Sequence, residues 1–270
     1  VKPYAAYCHA LDSLYARERS GEEYNAGARD ILNRFIPQLK LQEDIHAISA
    51  DYLIWNIDYS FAQWQDSPYL QHLNFEEFCE YVLPYKCLEG QPLDDWKQRW
   101  NIPGPELQDI AQIDEYRYNA RRAVEAANKD LQDSCKLITF GGPSQIDIID
   151  IFDLPTLTHR PYGTCKEMAQ LILLNTRSKA LPVSFDFSPA WPDRAFAHQW
   201  NSVFSTTRKN VDFEGLGMPG LPRYMDNLLG KVFRSTYAPH PLLLEVAEKG
   251  FDIPESLQLF SKDVTSEYSR

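Results

Sequence analysis

The sequence predicts an α+β protein, with a helical N-terminal region followed by one helix packed on an antiparallel sheet. Three observations carry that prediction. Through about residue 135, apolar residues recur at intervals of three and four. The same period returns from Lys166 to about Lys179, in a stretch without glycine. Beyond Pro182 the period drops to two, in segments separated by polar turns. The 270 residues, 44% of them hydrophobic and 13% aromatic, suffice for one large domain or two ordinary ones with a real core.

Residues 4–19, 22–36 and 42–64 read as helices, the last around "DIHAISADYLIWNIDYSFAQW". Asn74 is placed to cap "FEEFCEYVLP", which has acidic residues in its first turn and a proline at its end. A loop, "YKCLEGQPL", leads to "DDWKQRW", and a long charged helix is expected from Glu106 to Leu131. Trp55, Trp64, Trp96 and Trp100 read as packing between these helices rather than as a ligand platform. Ser144 is placed to cap a short helix over "QIDIIDIFDLP", after which "THRPYG" leads to Cys165.

The β-patterned part begins at "VSFDFSPAW", with Val183, Phe185 and Phe187 on one face. "FAHQWNSVFS" follows as a second strand, and after the turn "TTRKN" comes "VDFEG" as a third. The tail, with β-branched Val264 and Thr265, reads as the start of a strand that has no partner downstream. On that ground the chain is expected to run on into a missing β-rich domain. The organisation expected is a helical region over 1–135, an α+β core over 136–240 and an extension over 241–270.

Composition excludes several functions. With 27 Lys and Arg against 38 Asp and Glu, the net charge of −11 argues against nucleic-acid binding, which needs a basic face. No apolar run approaches the length of a membrane span. The five cysteines (Cys8, Cys79, Cys87, Cys135, Cys165) form no CxxC pair, and the six histidines form no HExxH motif. There is no GxGxxG, phosphate loop or GxSxG elbow. Neither a metal nor another cofactor is expected.

One motif points to chemistry. In "PYGTCKE" a cysteine stands at the mouth of a helix, where unpaired N–H groups and the positive dipole end favour a thiolate. If the second and third strands pair as a hairpin centred on Ser205, His198 stands opposite Asp212, close enough for the carboxylate to orient the imidazole. Glu214, two residues on and on the same face, takes that place if the register slips. Cys165, His198 and Asp212 are then a nucleophile, a base and an orienter. Singly, each reads as a small buried residue, a half-buried strand residue or turn chemistry; their joint order favours a site.

The segment from Tyr162 to Gly215 resembles the core of the transglutaminase-like superfamily, a relative of the papain fold. Gly163-Thr164-Cys165, "ALP" at 180–182, His198-Gln199-Trp200 and Asp212 occupy the places of that family's motifs. Residues 75–97 resemble the helical lead-in of bacterial extracytoplasmic members. The resemblance implies a Cys-His-Asp triad of Cys165, His198 and Asp212 that transfers acyl groups through a thioester. It implies a peptide or protein substrate, export to the periplasm or cell surface, and cell-surface or glycan association through the further domains. Gln145, His159 and Tyr162 are open alternatives for the second oxyanion donor. The rival reading is a non-enzymatic surface module that keeps the fold as a binding scaffold.

Overall fold

The structure is a computed structural model that describes residues 2–17, 22–38, 43–88, 90–112, 119–134, 139–140, 162–163, 165–190, 197–206, 210–214, 230–253 and 259–268. α1 (Lys2–Arg17) packs on α2 (Glu22–Phe35), burying Leu11 and Leu14 with Ala28 and Ile31, and a 3-10 turn follows over Ile36–Gln38. The helix expected over 42–64 is divided into α3 (Asp44–Ala47) and α4 (Ala50–Asp66). Ser49 is the reason: its backbone is extended, and its hydroxyl accepts the Tyr52 N–H at 3.2 Å, which starts a new helix.

α5 (Phe75–Tyr81) begins with the expected cap. Asn74 Oδ1 accepts the Glu77 N–H at 2.9 Å, and Glu77 Oε2 accepts the Asn74 N–H at 2.8 Å, a reciprocal capping box. After α6 (Trp96–Arg99), the stretch expected as one helix over 106–131 holds α7 (Pro105–Gln112) and α8 (Ala120–Ser134); residues 113–118 lie outside the described residues. So does the helix expected after Ser144. The tryptophans are packing residues. Trp64 stacks on Phe78 with centroids 4.4 Å apart, and Trp55 stacks on Tyr59 at 5.7 Å. Buried Trp96 gives its Nε1–H to the Tyr85 carbonyl, and Trp100 packs beside it.

β1 (Thr139–Phe140) and β2 (Tyr162–Gly163) pair in parallel just ahead of α9 (Cys165–Ser178). Every residue of α9 from Met168 to Ser178 is buried, because the helix lies between α8 and the main sheet. It ends at Ala180, whose φ of +58° turns the chain, with the Leu181 N–H bonded back to the Thr176 carbonyl at 3.1 Å.

The main sheet contains β3 (Val183–Ser188), β4 (His198–Phe204), β5 (Asn210–Phe213), β6 (Phe233–Ser235) and β7 (Ser261–Asp263). Its order is β5-β4-β3-β6-β7, and every pair is antiparallel. Val183, Phe185 and Phe187 share one face, as their alternation predicts, and join Val203 and Phe213 against Ala169, Ile172 and Leu173 of α9.

The other face of β3 is polar yet buried as well. Asp186 stands opposite Arg234 in the ladder and accepts from its Nε at 2.8 Å and its Nη2 at 2.7 Å. Tyr268 Oη donates to Asp186 at 2.6 Å and accepts the Trp200 Nε1–H at 2.9 Å. Tyr268 belongs to α11 (Thr265–Tyr268); α10 (Pro241–Glu248) lies earlier, between β6 and β7.

The tail therefore differs from the partnerless strand expected there. β7 pairs with β6, and Val264 and Thr265 lie beyond it, where Asp263 Oδ1 accepts the Thr265 N–H at 2.9 Å and opens α11. An Asp two residues before a Thr turns the chain more strongly than two β-branched residues extend it.

Candidate active site

Cys165 is the first residue of α9, so the N–H groups around it have no acceptor within the helix. Its free thiol is half-buried. His198 is the first residue of β4 and pairs with Ser188 at the end of β3. Asn201 fastens helix to sheet: its Nδ2 donates to the Ala169 carbonyl at 3.0 Å and to the Ser184 carbonyl at 3.1 Å. That clamp sets how far along β4 the start of α9 lies, and it brings Cys165 to the strand end. There the thiol donates to Gln199 Oε1 at 3.4 Å, and Cys165 is one of the two groups that raise the pKa of the His198 ring.

The carboxylate at the ring is that of Glu214, not Asp212. Glu214 Oε1 lies 2.6 Å from His198 Nε2, with the two side chains 28% and 12% exposed. The expected pairing of His198 with Asp212 is replaced by a register in which Asp212 pairs with Ser202 and Asn201 with Phe213. The two registers differ by an even number of residues, so every side chain keeps its face. Apolar alternation is the same in both and does not choose between them. What the observed register adds is contact: it sets Val203 against Val211, beside Phe213, under α9. Asp212 is left to accept a hydrogen bond from the Ser202 hydroxyl at 3.2 Å.

The charges follow from this placement. Burial alone would lower the His198 pKa. Hydrogen bonds with Cys165 and Glu214, and the negative charge of both groups, outweigh burial and push it up to about 9. Asp212 is also shifted, up to about 6, first by burial and then by the Asp186 charge, against the hydrogen bond from Ser202 and the Arg234 charge.

Among the described residues, no group of three or more His, Cys, Asp or Glu is placed to hold a metal ion, and no helix is long and apolar enough to cross a membrane. Of the candidates for a second oxyanion donor, Gln145 and His159 lie outside the described residues; Tyr162 belongs to β2, three positions before Cys165.

Gln199 is the site residue that the sequence reading passed over. The signal for it was the pleat of β4: when His198 lies on one face, the next residue lies on the face that α9 covers. In comparisons with known proteins, no family model, no curated protein and no solved structure matches this chain.

Proposed function

We propose that this chain is a transglutaminase-like cysteine enzyme that transfers acyl groups from peptide or protein amides. Cys165 is the nucleophile, His198 the proton carrier and Glu214 the carboxylate that orients the ring. The observation that carries the reading is a single imidazole 2.6 Å from a carboxylate, with a helix-start thiol acting on the same ring. An imidazolium beside the sulfur is the charge partner a thiolate requires.

In the first half-reaction the Cys165 sulfur bonds to the amide carbon, and the carbonyl π pair moves onto oxygen. The Cys165 backbone N–H, which has no acceptor within α9, donates to that oxyanion. Collapse re-forms the carbonyl and breaks the C–N bond, while His198 gives its proton to the leaving amine. The thioester is then cleaved by water, activated by the same imidazole, which releases the acid and restores the thiol. An amine in place of water gives a new amide. Glu214 keeps the ring oriented through both steps, as the third group of a triad does.

Intact-mass measurement of the whole chain with a panel of peptide amides tests this reading. An acyl adduct on Cys165 that hydroxylamine removes, and that is absent from Cys165→Ala, is the expected result. Amide turnover undiminished in Cys165→Ala sinks it, as does the absence of any adduct across the panel.

A further inference from the structure

We propose that the side-chain amide of Gln199 is the second oxyanion donor of this site, which makes Gln199 a catalytic residue; the inference rests on the acyl-transfer reading above. Gln199 follows His198 on β4, so the two side chains leave the strand on opposite faces. His198 shares its face with Trp200, while Gln199 shares the face of Asn201 and Val203, against which α9 packs. The amide thus meets the sulfur, at 3.4 Å, on the α9 side of the strand end, while the imidazole leaves the strand on the other face.

The chemistry of the contact identifies which end of the amide serves. In the resting site the Cys165 thiol donates to Gln199 Oε1; once the sulfur attacks as a thiolate it has no proton to give, and an amide oxygen facing it would set two acceptors against each other. Half a turn of the amide interchanges oxygen and nitrogen at almost the same positions. The Nε2–H then points at the sulfur. When the acyl carbon bonds to Sγ, the carbonyl oxygen takes on the charge one bond away from the sulfur, within reach of this N–H and of the Cys165 backbone N–H. Both groups donate hydrogen bonds and neither gives up its proton, so proton movement stays with His198. Gln199 is uncharged and its backbone is held in the β3–β4 ladder opposite Phe187, so the donor is in place before substrate arrives.

Two reagents separate this role from general support of the thiol. Iodoacetamide is attacked at a saturated carbon and forms no oxyanion, whereas p-nitrophenyl acetate acylates through one. Both rates at Cys165 are measured by intact mass on the full chain in wild type, Gln199→Ala and Gln199→Met, the last keeping the side chain's bulk. The expected result is acylation slowed about 100-fold in both variants, a typical loss for one oxyanion donor, with alkylation within about threefold of wild type. Acylation at the wild-type rate overturns the proposal, and so does a parallel fall of both rates. Those outcomes leave the nucleophile reading standing. A wild-type Cys165 inert to both reagents removes that reading, and the role of Gln199 with it.

Discussion

His198 Nε2 and Glu214 Oε1 lie 2.6 Å apart at the end of β4, while Asp212, on the same face of β5, is turned to Ser202. Only one of the two carboxylates therefore carries the charge that holds a proton on the ring. Glu214→Gln is expected to bring the His198 pKa down from about 9 by at least about one unit, followed by the ring proton signal in NMR. Asp212→Asn should leave it within about half a unit. The reverse pattern would return the orienting role to Asp212.

Asp212 has a different consequence, for stability. Its pKa rises from 3.8 to about 6 on folding, so between those values the native chain binds more protons than the unfolded chain. Stability contributed by this group is therefore lost as pH rises from about 4 to about 6. Asp212→Asn removes that slope, and its urea midpoint should vary less than that of wild type across the window. An unchanged slope contradicts the assignment.

The ion pair beneath the site offers a larger effect. Asp186 and Arg234 are 0% and 2% exposed. Arg234→Met leaves the carboxylate buried without its bidentate partner, which is expected to cost about 3–5 kcal/mol in urea unfolding. A loss below about 1 kcal/mol would mean that water or Tyr268 replaces the guanidinium.

Lys97 gives a slope of opposite sign. It is 3% exposed, and its Nζ donates to Asn56 and Ser60 at 2.9 Å each and to the Val82 carbonyl at 2.6 Å. Burial lowers its pKa to about 7, with the Arg177 charge acting the same way against Cys87. Between about 7 and 10.5 the unfolded chain binds more protons, so stability from this group rises with pH. His198 acts oppositely between 6.5 and about 9, so the test is the difference between wild type and Lys97→Met. That difference should widen as pH rises above 7; a constant difference contradicts a buried, titrating Lys97.

The elements legible in the sequence are those in which local chemistry and period agree. The capping box at Asn74, the start of α9 at Cys165 and the shared face of Val183, Phe185 and Phe187 were all readable in this way. β6 was not: it is three residues long, and the Arg234 at its centre is buried by an ion pair that no periodicity reveals. Of the candidate site, the places of Cys165 and His198 were legible, since both stand at the ends of elements. Its carboxylate was not, because an even slip in the β4–β5 register exchanges Asp212 for Glu214 while every side chain keeps its face.

The central claim is that Cys165 is a nucleophile because His198 stands beside it. A short iodoacetamide pulse at pH 7, read by peptide mass for each cysteine, tests it most directly. Cys165 should be labelled faster than Cys8, Cys79, Cys87 and Cys135 in the wild-type chain, and His198→Ala should slow Cys165 by about tenfold or more. Labelling of Cys165 no faster than the others, or at a rate indifferent to His198, would contradict the account.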